Sequence, residues 1–259
     1  KAERVNVAKR VIAVLNQKGG VGKTTTAINV AAYLAKSGKR VLVVDFDPQG
    51  NATSGLGIDK TNIGSGVYDV ILGKVDPASA VIETDFERLD LLPTNAQLAS
   101  AEVELVGHER REQLLDTALK PFDHDLVIID CPPALGLLTI NALVAADWLL
   151  IPVQAEYYAL EGLGQLLEVF QTVKQRLNHK IEILGVVVTM FDNRTSLSTQ
   201  VLSELTKHFG DKVFGAVIPR NVRLAEAPSH GKPITEHDKW SKGARAYKQL
   251  TKEILRCLQ

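Results

Sequence analysis

Nine consecutive residues, Gln17-Lys18-Gly19-Gly20-Val21-Gly22-Lys23-Thr24-Thr25, combine the groups needed to hold a chain of phosphates. The glycines Gly19, Gly20 and Gly22 let backbone N–H groups close around anionic oxygens with no Cβ in the way. An aliphatic run, Val11–Asn16, precedes them and a helix-forming run, AINVAAYLAK, follows at once. The loop therefore opens a helix whose N-terminus adds partial positive charge. Lys23 is placed to reach the outer phosphates and the Thr24 hydroxyl to ligate Mg2+, with Val21 and Thr25 completing the loop. Gln17 stands where the general GxxxxGK[ST] pattern has its first glycine, and Lys18 supplies a second cation.

Carboxylates come at matching places. The run Val41–Phe46 leads into Asp45-Phe46-Asp47-Pro48-Gln49-Gly50-Asn51. Aspartates two apart on a strand share a side, and Pro48 and Gly50 then turn the chain out. Near a terminal phosphate such acids orient an attacking water or enter a metal's shell, and the residues alone leave both roles open. Leu126–Asp130 (LVIID) is an apolar strand ending in an acid, the Walker B arrangement, so Asp130 is expected to hold Mg2+ through its water. Cys131 follows it with no second cysteine nearby; the other, Cys257, is far along the chain. Cys131 is expected to be a small core residue.

These groups need a frame to hold them. Val11–Asn16, Val41–Phe46, Leu89–Pro93, Leu126–Asp130, Trp148–Val153, Ile183–Thr189 and Val213–Ile218 have the continuous aliphatic character of strands buried on both faces. Helical stretches alternate with them: Thr24–Lys36, Gln97–Lys120, Leu137–Ala146, Leu160–Asn178, Leu197–Phe209 and Lys242–Leu258. The pattern predicts an α/β fold, a doubly wound, mostly parallel sheet flanked by helices, with ligands beyond the strands' carboxyl ends. One domain is expected over residues 1–259, with 1–10 as an N-terminal extension and Gly55–Gly73 as a surface excursion.

Thirty basic and thirty acidic residues leave no global field to draw the chain to nucleic acid or lipid. Two distant cysteines argue against a disulfide framework or a zinc site. The longest apolar stretch, near Asn141–Val153, is interrupted by Asp147, and no signal-peptide pattern opens the chain. A cytoplasmic protein is expected.

The KGGVGKT block, the DxDPQGN segment Asp45–Asn51 and the segment Val217–Ile234 (VIPRNVRLAEAPSHGKPI) resemble the deviant Walker group of P-loop NTPases. Within it the sequence is similar to the ParA/Soj chromosome- and plasmid-partition ATPases, from Val11 to about Tyr247. The resemblance implies an ATP-dependent homodimer in which Lys18 reaches the partner's phosphates. It also implies that Asp47 positions the hydrolytic water, that Asp45 lies nearer Mg2+, and that Ala134–Leu137 forms a second switch. Pro219 and its neighbour Asn221 would lie against adenine, with Met190 nearby. No guanine-reading NKxD pattern occurs, which favours ATP over GTP. Arg194 and Arg223 match arginines used by the Soj-like subgroup on non-specific double-stranded DNA. A ParB-type centromere-binding protein would stimulate hydrolysis, and the protein would be nucleoid-associated.

Charge is segregated within the neutral chain. From Pro219 to Gln259 nine Lys/Arg face four acids, which suits either a DNA-facing surface or a solvated helix. The last helix carries an apolar stripe, Ala244, Tyr247, Leu250, Ile254 and Leu258. It is expected to dock on the core, with no stable membrane attachment. A MinD-like membrane-cycling ATPase is the alternative, and a metabolic P-loop enzyme of the dethiobiotin synthetase type a more distant one. Tyr157 and Tyr158 are expected to be packing residues.

Overall fold

A computed structural model describes residues 9–156 and 161–259. Tyr157, Tyr158 and Leu160 lie outside the described residues, as do residues 1–8 of the expected extension. Seven strands form one sheet: β1 (Arg10–Val14), β2 (Val41–Asp45), β3 (Ile82–Glu83), β4 (Leu89–Leu92), β5 (Leu126–Asp130), β6 (Trp148–Gln154) and β7 (Glu182–Thr189). Their order is β3-β4-β2-β5-β1-β6-β7. Every neighbouring pair is parallel except β3 and β4. β2 and β5 are buried along their whole length, as unbroken Val/Leu/Ile runs require when both faces are covered.

The helices are α1 (Lys23–Lys36), α2 (Asn51–Gly55), α3 (Val67–Ile71), α4 (Leu98–Glu104), α5 (Leu114–Leu119) and α6 (Leu137–Ala145). The distal ones are α7 (Glu161–Arg176), α8 (Ser196–Phe209), α9 (Val222–Glu226), α10 (Ile234–His237) and α11 (Lys242–Cys257). Strand periodicity divides the core in two. Ile12 and Val14 of β1 face α1 and α11, through Ala27 and Tyr247 among others. Val11 and Ala13 face the other layer, where α5, α6, α7 and α8 contribute Leu115, Ala142, Leu166 and Val201. The sheet is doubly wound.

Three expectations need correction, and one strand went unforeseen. Gln97–Lys120 is two short helices, because Gly107 and Arg110, whose φ is 54°, interrupt the winding. Val213–Ile218 is not a strand. It touches β7 through isolated bridges, with Phe214 N–H on Val186 O at 2.9 Å and Ile218 N–H on Val188 O at 2.8 Å. The N–H groups of Gly215 and Ala216 go instead to the Glu253 carboxylate on α11. The Gly55–Gly73 excursion carries α3, whose Val67, Tyr68, Val70 and Ile71 are buried. β3, two residues long, has too little pattern to be found from sequence.

Candidate active site

Three strands deliver the site. In register, Val14 of β1 and Asp45 of β2 both stand opposite Asp130 of β5, so three carboxyl ends meet. The loop leaving β1 curls back over them. Gly20 and Gly22 have φ of 76° and 88°, conformations that glycine adopts without strain. Gly19 and Gly20 are exposed, and a Cβ on either would meet nothing within 4 Å, so the loop is open to a ligand. Asn16 Oδ1 accepts from Lys18 N–H at 3.0 Å, and the Thr189 hydroxyl donates to Val21 O at 2.7 Å, bracing the loop at both ends. Gly22 caps α1, whose first turn carries no acid to neutralise its dipole.

Lys23 is 7% exposed and its Nζ donates to Lys18 O at 3.1 Å. Burial pulls its pKa below the usual lysine value, and the charges of Asp130, Asp47 and Cys131 oppose that pull. The two strand-end aspartates have different employment. Asp45 Oδ2 accepts from both Thr53 N–H (2.7 Å) and the Thr53 hydroxyl (2.6 Å), which fixes the start of α2. Burial nevertheless raises its pKa to about 6. Asp130 is fully buried, and among the described residues neither carboxylate oxygen has a hydrogen-bond partner. Burial, then the nearby Asp45 charge, drives its pKa well above the carboxylate range, while Thr24 and Lys23 oppose the rise. An orphaned buried carboxylate costs several kcal/mol unless something cationic compensates it. Beside a threonine hydroxyl and an open anion cradle, this donor set fits hydrated Mg2+ carried in with a phosphate chain. Among the described residues no three His, Cys, Asp or Glu side chains form a ready-made metal cage.

Asp47 is 6% exposed, and its Oδ1 accepts from Gln49 N–H at 3.0 Å, while Oδ2 has no hydrogen bond among the described residues. Lys18 is ion-paired within its own chain, Nζ to Glu156 Oε2 at 2.5 Å, and Gln154 donates to the other Glu156 oxygen. Cys131 is fully buried, and burial pushes its thiol well above the usual range, which suits a packing residue and not a nucleophile.

Next to the loop, a cleft of about 240 Å³ is lined by Gly22, Thr25, Met190, Pro219, Asn221 and their neighbours. It joins the expected base-contacting residues to the phosphate loop although they are about 170 to 200 positions apart in sequence. Met190 holds φ at 50°, which turns the chain sharply after β7. Asn221 Oδ1 caps α9 through Leu224 N–H, which leaves its amide NH2 for a ligand. Arg194 and Arg223 lie elsewhere, on the exposed distal surface. Arg194 forks onto Asp192 at 3.0 and 2.7 Å. Arg223 pairs with Glu226 at 2.9 Å and Asp238 at 3.6 Å. Sequence reasoning missed Thr53 and Glu156, the partners of Asp45 and Lys18; neither lies in a spacing pattern that announces such a contact.

Residues 9–183 match a family model described as an AAA domain. Over 247 residues the chain is 56% identical to the sporulation initiation inhibitor protein Soj of Bacillus subtilis, covering 95% of this chain and 98% of that one. It is 48% identical over 250 residues to the chromosome partitioning protein ParA of Caulobacter vibrioides, covering 95% and 94%. Among solved structures it is similar to a Mycobacterium smegmatis protein described as cobyrinic acid a,c-diamide synthase with bound ATP analogue and magnesium. That match has a TM-score of 0.85 and 41% identity, covering 96% and 95% of the two chains.

Proposed function

This chain belongs to the Soj/ParA family of P-loop partition ATPases, and from that premise we propose an ATP-driven switch that grips and releases DNA. Mg-ATP joins two copies face to face, the pair binds duplex DNA without sequence preference, and hydrolysis returns separate copies that let go. A ParB-type partner accelerates an otherwise slow hydrolysis, and the protein works in the cytoplasm on the nucleoid.

The observation that carries this reading is the pair of orphaned Asp130 oxygens beside Thr24 and Lys23 under an open glycine cradle. Backbone N–H groups of Gly19–Thr25 hold the phosphate oxygens, and Lys23 balances charge on the outer two phosphates. Thr24 and Asp130 would hold Mg2+, which supplies charge neutralisation between the outer phosphates when bound. Asp47 orients a water for in-line attack on the terminal phosphorus. The water oxygen bonds to phosphorus, the bridging oxygen leaves with ADP, and the proton passes to Asp47 and on to phosphate. Lys18 exchanges Glu156 for the partner copy's phosphates. Met190, Pro219 and Asn221 receive the adenine base.

A MinD-like membrane cycle would need an apolar helix face free for lipid. In α11 that face, Ala244, Tyr247, Leu250 and Ile254, is buried against α1 and the sheet, which supports the DNA reading. No described helix is long and apolar enough to cross a membrane. The test is retention on non-specific duplex DNA with ATP, with ADP and without nucleotide, across a salt series. Retention with ATP alone and a steep salt slope is expected. Equal retention in all three states, or none, would sink the switch.

A further inference from the structure

A phosphate cradle needs N–H groups turned inward and carbonyls turned away, because a carbonyl oxygen facing the anion repels it. Three carbonyls of this loop are tied back. Lys18 O accepts from Lys23 Nζ at 3.1 Å, and Gly22 O accepts from Thr26 N–H at 2.9 Å. Among the described residues Val21 O takes no backbone amide. Its hydrogen bond comes from the Thr189 hydroxyl at 2.7 Å, across 168 positions of sequence.

The Val21–Gly22 peptide is trans, so its C=O and N–H point in opposite directions. Holding Val21 O on the Thr189 side therefore sends the Gly22 N–H the other way, where it meets no acceptor among the described residues. Gly22 has φ of 88°, and glycine takes the mirror value as readily, so its backbone alone does not stop the peptide turning over. A turned peptide would offer the phosphates Val21 O in place of an N–H. Thr189 is built to decide between the two orientations. It is 2% exposed and ends β7, where its own carbonyl accepts from Ala155 N–H at 3.1 Å. Its methyl lies 3.9 Å from where a Cβ on Gly22 would stand, so both branches of the side chain face the loop.

We propose that Thr189 is a positioning residue for ATP: its hydroxyl holds the Val21–Gly22 peptide with the N–H turned toward the phosphates. The inference rests on the reading of this loop as a phosphate cradle and names the side chain that sets its polarity. Thr189 touches no phosphate and acts through Gly22. The next residue, Met190, lines the cleft assigned to the base. One strand end thus serves both ends of the nucleotide, ordering the loop with one residue and meeting the base with the next. The consequence falls on affinity and not on the hydrolytic step, because the water-orienting Asp47 is carried by the segment after β2.

The test compares the full-length parent with Thr189→Val, Thr189→Ser and Thr251→Val, by titration with Mg-ATP, competition with tripolyphosphate, and steady-state phosphate release. Thr251 is the control. It is 3% exposed and its hydroxyl also donates to a backbone carbonyl, Tyr247 O at 2.9 Å, within α11. Thr189→Val keeps the shape and loses the donor. It should weaken ATP and tripolyphosphate by roughly ten- to hundredfold and raise KM in parallel, with kcat within about threefold. Thr189→Ser restores the hydroxyl and should bind within about threefold of the parent, as should Thr251→Val. In the parent, the isotope-labelled Gly22 amide proton should move downfield on adding tripolyphosphate, a reading that needs no variant to fold. Equal losses in Thr189→Val and Thr251→Val, a loss confined to kcat, no rescue by serine, or an unmoved Gly22 amide would overturn the assignment. A parent that binds neither ATP nor tripolyphosphate would instead overturn the cradle reading beneath it.

Discussion

The phosphate end of the sheet and the distal helical surface handle charge in opposite ways. Lys23, Asp45, Asp47 and Asp130 crowd together with none more than 7% exposed. The cations of α11 stand apart from one another in solvent. Buried charges cost several kcal/mol each and are sensitive to every neighbour, so each is individually indispensable. Exposed charges cost almost nothing and act by number. On the proposed function, chemistry is concentrated in single residues and polyanion binding is spread over many.

That contrast can be broken or sharpened by substitution. Asp47→Ala should lower ATP turnover by roughly 10²–10⁴ while nucleotide titration and duplex binding stay near the parent's. Loss of nucleotide binding, alongside slow phosphate release, would mark Asp47 as a turn-forming acid held by Gln49. Next in size is a pH effect. Folded Asp45 holds its proton up to about pH 6 against an ordinary value of 3.8. The folded state thus binds more protons between these values, and this residue's contribution to stability falls as pH rises from about 4 to 6, by roughly 3 kcal/mol. Denaturant melts of parent and Asp45→Asn should show the parent losing ground to the variant across that window; a constant difference would refute it. Asp130→Asn should stabilise the nucleotide-free protein by about 1–3 kcal/mol, since an amide costs less to bury than an unpaired carboxylate. The same variant should lose the thermal protection given by Mg-ATP. At the small end, Arg223→Gln should move Tm by less than about 2 °C, yet reduce the salt slope of duplex binding by about 1.

Sequence legibility follows the same division. β1, β2, β4, β5, β6 and β7 were readable because aliphatic runs buried on both faces leave no other interpretation. The phosphate loop was readable because its glycines, lysine and threonine sit in one uninterrupted stretch. Val213–Ile218 resembled a strand by composition, but Glu253 takes its free N–H groups, a contact 38 residues away that no local pattern carries. The helix expected over Gln97–Lys120 failed at Gly107 and at the left-handed conformation of Arg110. Within the site, the roles of Asp45 and Asp130 diverge through Thr53, eight residues from Asp45, whose significance appears only once α2 folds back. The occupied state of Arg194 and Arg223 was likewise out of reach, because it depends on which acids lie alongside and not on how many there are.

The margins of the sheet carry a consequence of their own. On one side β3 offers two residues running against the grain, and on the other the chain over Val213–Pro219 shields β7 with Phe214 pressed close to Gly185. Among the described residues, neither border presents a long row of vacant backbone donors and acceptors on which another molecule's strand could template itself. Strand-by-strand stacking of copies is thereby closed off at both ends. Filaments or clusters of this protein must be glued by side chains of loops and helices, and should dissolve when those contacts are loosened by salt or nucleotide exchange.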